Sequence, residues 1–165
     1  MTPVEMLQKG RLQALKLLGY LDFVPGVLTR LVVGYAFIDS GGGKLKNIEN
    51  TVNFFTDLGI PFPAANAAFV AHLEYYGGML ILVGLLTRIV GLLLSSTMVV
   101  ALMTADQETF VSALTRSGEA GLSDVVPFVL GVLMSWLVVF GPGALSLDAL
   151  IKRGLFKNDP PEKSA

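Results

Sequence analysis

The chain has 165 residues and a net charge of −1; 53% of its residues are hydrophobic, only 15% are charged, cysteine is absent and there is a single histidine. A soluble domain carries roughly 25% charged residues, so most of this surface is built for a solvent other than water, and the charge balance offers no basic field to neutralise nucleic-acid phosphates. Without cysteine there is no disulfide, thiol relay, iron–sulfur cluster or thiolate-bound zinc, and His72 alone cannot make a bis-histidine haem or a histidine-rich metal site.

Within residues 4–18, Val4, Leu7, Leu15 and Leu18 recur at helical spacing among Gln8, Lys9, Arg11, Gln13 and Lys16. This pattern predicts an amphipathic helix in a membrane interface. The same charges interrupt the apolar run that a cleavable signal peptide needs, so no cleaved leader is expected. Residues 21–38 are apolar apart from Asp22, Thr29 and Arg30 and form the first expected span, at the short end of the usual length. Ser40-Gly41-Gly42-Gly43 is expected to break it. Leu45, Ile48, Val52, Phe55 and Leu58 then predict a second amphipathic helix resting on the membrane. Gly59-Ile60-Pro61-Phe62-Pro63 ends that helix, since Pro61 disfavours helix at the residue before it and neither proline donates a backbone hydrogen bond.

Residues 64–86 read as the second span and 89–105 as the third; Thr87-Arg88 is the only link, which makes the two antiparallel neighbours. A polar loop follows over 106–123 with a short helix near 109–114, then a fourth span over 124–140, stopped by Gly141-Pro142-Gly143. The expected fold is therefore all-α: a four-transmembrane-helix bundle with amphipathic interfacial helices. It divides into an amphipathic segment (1–20), the membrane domain (21–148) and a polar tail (149–165). Three lysines and arginines precede the first span, one lies between the second and third, and four follow Pro142, against two and one in the other loops. The excess of positive charge on the cytoplasmic side of membrane proteins then puts both termini in the cytoplasm of a prokaryotic cell, the chain crossing its inner (plasma) membrane several times.

Two ionisable residues fall within expected spans. Counting from the span ends, Arg30 lies ~12 Å and Glu74 ~10–15 Å from the outer boundary. An unpaired charge at that depth costs at least ~2.5–3.5 kcal/mol, which predicts that Arg30 and Glu74 face the interior and pair, either as a clamp or as a group that binds a headgroup or moves a proton. Gly34, Gly77, Gly78 and Gly84 permit close backbone approach, and Gly91 with Ser95 and Gly131 with Ser135 repeat the small-xxx-small spacing of packed membrane helices. Arg88 sits near the cytoplasmic boundary as a topology anchor. His72 falls on the opposite face from Glu74, beside Tyr75 and Tyr76; a hydrogen-bonded interface histidine is one reading, and capping of a quinone carbonyl by His72 with Tyr76 is the other. Lys44 follows the glycines. No set of residues suggests a metal site.

The order of these residues resembles the DoxX family of small membrane proteins. The matching pieces are Arg30-x-x-x-Gly34-x-x-Phe37 with the glycines and Lys44, Phe55 with Gly59-Ile60-Pro61-x-Pro63, Glu74-x-x-Gly77-Gly78-x-x-x-x-x-Gly84-x-x-Thr87-Arg88, and Gly141-Pro142-Gly143-x-x-Ser146-Leu147-Asp148. The resemblance implies a four-helix membrane protein, and a link to thiosulfate:quinone oxidoreductases or redox-stress enzymes in some members. Three functions stay open: a non-catalytic subunit that anchors a membrane redox or respiratory complex with a protein partner; a quinone-linked oxidoreductase subunit with Arg30 and Glu74 at the headgroup; or a small-solute transporter or lipid-binding protein. With no cysteine and no ligand set, electron transfer would need a partner's centres, and any small molecule held would be a quinone or lipid rather than a covalent cofactor.

Overall fold

A computed structural model describes residue 19 and residues 23–155. The expected amphipathic helix at 4–18 and the end of the tail, 156–165, lie outside the described residues. The regular structure of the described residues is all helical: α1 (Phe23–Lys46), α2 (Ile48–Asp57), α3 (Pro63–Val83), α4 (Thr87–Met103), α5 (Gln107–Thr115), a 3-10 turn (Leu122–Asp124), α6 (Val126–Phe140) and α7 (Leu147–Leu155).

The largest departure from the sequence expectation is α1. Its 24 residues run through Ser40-Gly41-Gly42-Gly43 without a break. A glycine in a helix interior costs about 1 kcal/mol relative to alanine, so something must offset that cost, and the α1–α3 crossing does. A Cβ on Gly41 would lie 2.8 Å from the Tyr75 Cα, and one on Gly34 2.9 Å from the Leu82 Cβ. One on Gly78 would lie 2.8 Å from the Gly34 carbonyl oxygen. Glycine on both helices lets their backbones touch, and α1 stays helical because straight backbone is what α3 packs against.

The turns follow local chemistry. Gly59 takes a left-handed φ of 69° and closes α2, with Ile60 N–H donating to the Phe55 carbonyl at 3.0 Å. Pro63 then occupies the first turn of α3, where its missing N–H leaves no intrahelical bond unmade. Gly84, φ 73°, ends α3; its N–H reaches the Ile81 carbonyl and that of Leu85 the Leu80 carbonyl, the pattern that satisfies orphan carbonyls at a helix end. Thr87 and Arg88 belong to α4, and the link is residues 84–86. Pro25 and Pro127 also fall in first turns, where they start helices without kinking them.

The four longer helices meet at one buried cluster: Val33 and Phe37 of α1, Ile81 of α3, Val90, Leu94 and Met98 of α4, and Met134 and Leu137 of α6. Their outward faces are apolar as well, with Leu92, Leu93, Val99, Val100, Val132 and Val139 all exposed. Of the described helices α1 alone is long and apolar enough to cross a membrane; α4 and α5 meet that test only as a pair bent by 80° at their junction, and α6 is a 15-residue apolar helix. The expected polar tail begins as an amphipathic helix, because Leu147, Leu150 and Ile151 alternate with Asp148, Lys152 and Arg153 across α7.

Candidate functional site

Antiparallel packing sets which polar side chains can meet. Gly34 of α1 crosses α3 at Gly78 and Leu82, so each residue further along α1 stands opposite one further back on α3. Ser40 thereby faces Glu74, and Arg30 faces Gly84. The expected Arg30–Glu74 pair is not formed: the two side chains belong to opposite ends of the crossing, ten residues or ~15 Å apart along α1.

Glu74, 2% exposed, pairs with Lys44, one turn along α1 from Ser40. Ser40 donates to the same carboxylate oxygen at 2.9 Å, and Lys44 donates to Ser40 Oγ at 2.7 Å. The Lys44 side chain keeps 27% of its surface accessible, so this site is a buried carboxylate under a partly exposed ammonium. The charge-assisted bonds satisfy an acid that would otherwise be unpaired inside the molecule. Thr51 at the start of α2 donates to the Asn47 carbonyl at 3.1 Å and closes the same end of the fold.

The second site is the Arg30 end. Arg30 is 4% exposed and its Nη2 donates to the Leu145 carbonyl at 2.6 Å. Nε and Nη1, and the buried Thr87 hydroxyl, have no partner among the described residues. The segment 141–148 folds over them. Its Asp148 carboxylate accepts from Leu86 N–H at 2.8 Å and from Thr87 N–H at 3.0 Å, and Asp148 N–H donates to the Gly84 carbonyl at 2.9 Å. Asp148 therefore caps α4 from another part of the chain, its negative charge set at the positive end of that helix. Ser146 donates to the Gly143 carbonyl at 2.7 Å and accepts from Ala149 N–H at 3.1 Å, starting α7. Gly84 leaves the space that the guanidinium and Ser146 fill, since a Cβ there would lie 2.6 Å from the Ser146 Cβ and overlap Nη1.

The remaining candidates lie elsewhere. Arg88 reaches over the end of α6 and donates to the Val139 carbonyl at 3.2 Å. His72 is exposed on the outer face of α3, its Nδ1 2.7 Å from the Ala68 carbonyl and its ring stacked on Tyr76 with centroids 6.1 Å apart. Neither His72 nor Tyr76 joins the two polar sites. Gly77 faces Val90 and Leu94 of α4, and Gly91 faces Val138 and Met134 of α6. Ser95 donates to the Gly91 carbonyl; Ser135 points outward and donates to Val132, and Gly131 meets only Met98 at ordinary distance. Sequence pattern puts Ser40 in an expected helix break, Thr87 in the link between two spans, and Ser146 and Asp148 in the family-like closing motif, and assigns none of them to a site. For Ser40 a usable signal lies in the glycine spacing, because aligning Gly34 with Gly78 in antiparallel register places Ser40 opposite Glu74.

The family model for DoxX matches residues 26–107, which carry both Arg30 and the Lys44–Glu74 pair. The chain belongs to the DoxX family. It is a membrane protein, and two relatives bear on its role. It is 37% identical over 78 residues to "Putative oxidoreductase CatD" of Bacillus subtilis (strain 168), a match covering 47% of this chain and 57% of that protein. It is 28% identical over 137 residues to "Inner membrane protein YqjF" of Escherichia coli (strain K12), covering 81% of this chain and 96% of that one. The first match thus spans little more than half of its relative's length. No solved structure matches this DoxX protein.

Proposed function

We propose that this DoxX protein is a non-catalytic subunit that anchors or organises a redox complex in the inner membrane, crossing it four times through α1, α3, α4 and α6. The similarity to a relative named as an oxidoreductase carries the reading. The disposition of ionisable groups supports the non-catalytic part: Glu74 is committed to Lys44 and Ser40, and Asp148 to the start of α4. An acid and a base poised over one substrate position, which proton-transfer chemistry needs, are not brought together among these residues. Both termini lie on the cytoplasmic side in this reading, with the Arg30 end inward and the Lys44–Glu74 end outward.

A second reading is favoured by one observation, the two guanidinium nitrogens of Arg30, Nε and Nη1, without a partner among the described residues. A quinone carbonyl would accept from them if segment 141–148 gave way, making the chain a quinone-linked subunit that receives electrons from its partner. Glu74 has no part in that site.

Native mass spectrometry of the full chain, extracted gently from its own membrane, tests the proposal. A stoichiometric redox protein with no retained quinone is the expected result. Retained quinone at one per chain supports the second reading, and a bare monomer or homo-oligomer with bulk lipid overturns both.

A further inference from the structure

A groove of about 360 Å³ runs between α1 and α6 at the Arg88 end, lined by Pro25, Thr29, Ser135, Trp136, Val139 and Phe140. Its two hydroxyls are already spent: Thr29 donates to the Pro25 carbonyl at 2.8 Å and Ser135 to the Val132 carbonyl at 2.7 Å. What the groove presents is therefore hydrocarbon, flanked by the Trp136 and Phe140 rings in contact at a centroid distance of 4.1 Å. Aromatic rings of this kind sit at the level of lipid headgroups. With Val132 and Leu133 included, the lining of α6 runs from residue 132 to residue 140, eight steps or ~12 Å of helix, enough for a substantial part of an acyl chain.

Charge defines the upper end of this groove. Arg88 crosses the end of α6, bonded to the carbonyl of Val139, itself a groove residue, and is otherwise exposed. One of its N–H groups is used there, so others remain for an anion. Asp148 ties α7 to the start of α4, which brings the exposed Lys152 and Arg153 to the same end of the molecule. We propose that this face binds one anionic phospholipid, with an acyl chain in the α1–α6 groove and the phosphate on Arg88. The neutral groove selects hydrocarbon and the arginine selects a negative headgroup; a free phosphate would satisfy the second alone.

Trp136 is the sole tryptophan of the chain, so its fluorescence reports on the groove directly. Full-length protein in non-ionic detergent is titrated with phosphatidylglycerol or phosphatidylcholine carrying brominated acyl chains, which quench a tryptophan they touch. Saturable quenching is expected, competed by unbrominated phosphatidylglycerol, with about a fivefold preference for the anionic lipid, the factor that one basic residue near a charged headgroup supplies. Arg88→Gln abolishes that preference and Arg88→Lys keeps it, which separates loss of charge from loss of the contact to α6. Ser135→Phe, which fills the groove, lowers quenching by both lipids. Soluble glycerol phosphate competes only weakly if the lipid is the ligand; competition as strong as the lipid's would show a phosphate site without the groove. Quenching that rises without saturation, or equally for both lipids with and without Arg88, overturns the proposal.

Discussion

Gly41→Ala and Gly43→Ala, two residues apart on α1, should change stability in opposite directions. Each replacement removes the cost of glycine in a helix, about 1 kcal/mol in favour of alanine. At Gly43 nothing lies within 4 Å of the added Cβ, so the gain should appear almost whole. At Gly41 the Cβ would lie 2.8 Å from the Tyr75 Cα and 2.9 Å from the Ala71 carbonyl oxygen. These are backbone atoms that cannot swing aside, so α1 and α3 must part, at the ~1–3 kcal/mol that overpacking costs. The net is a loss of up to about 2 kcal/mol for Gly41→Ala against a gain of up to about 1 kcal/mol for Gly43→Ala. Reversible unfolding in mixed micelles, followed by far-ultraviolet circular dichroism, measures both. If the two variants shift together, the helix does not continue through 40–43 against α3, and the register argument for both polar sites fails with it.

Asp148→Ala should cost about 0.5–2 kcal/mol, the range for loss of a helix cap, with Asp148→Asn recovering only part of it, because an amide offers one acceptor oxygen where the two carboxylate oxygens accept from Leu86 and Thr87; hydrogen exchange should quicken at the Leu86 and Thr87 amides. Gly84→Ala should be more damaging than any other alanine replacement at a glycine of α3 or its end. It combines a left-handed φ of 73°, worth about 1–2 kcal/mol against a side chain, with overlap on Arg30; the unfolding midpoint reads it.

Much of this is legible in the sequence because it is written locally. Pro61 and Pro63, Gly84 and Gly141 stop or start helices through their own backbone limits, and α2, α3, α4 and α6 begin and end within a few residues of where the pattern puts them. The glycines at 34, 77, 78 and 91 face neighbouring helices as their spacing suggests. The break expected at 40–43 does not occur: a glycine run lowers helix propensity, but the contact with Tyr75 that outweighs it is 34 residues away along the chain. The consequence spreads. Ending the first span at residue 38, where α1 continues to Lys46, moves Arg30 about eight residues, or ~12 Å, toward the outer boundary and puts it level with Glu74. It also consigns Lys44 to a loop, which hides the partner that Glu74 takes. Asp148 stands in plain sight in Ser146-Leu147-Asp148, but a cap delivered to a helix 62 positions earlier leaves no local trace.

The separation of Arg30 from Glu74 is the centre of this account, and double-mutant cycles measure it. Unfolding free energies of Lys44→Met, Arg30→Gln, Glu74→Gln and the two doubles containing Glu74→Gln give a coupling for each pair. Lys44 and Glu74 should couple by about 0.5–3 kcal/mol, as residues in one network do, whereas Arg30 and Glu74 should add to within ~0.3–0.5 kcal/mol. A large coupling between Arg30 and Glu74 with none between Lys44 and Glu74 would contradict it and return the two charges to a single site.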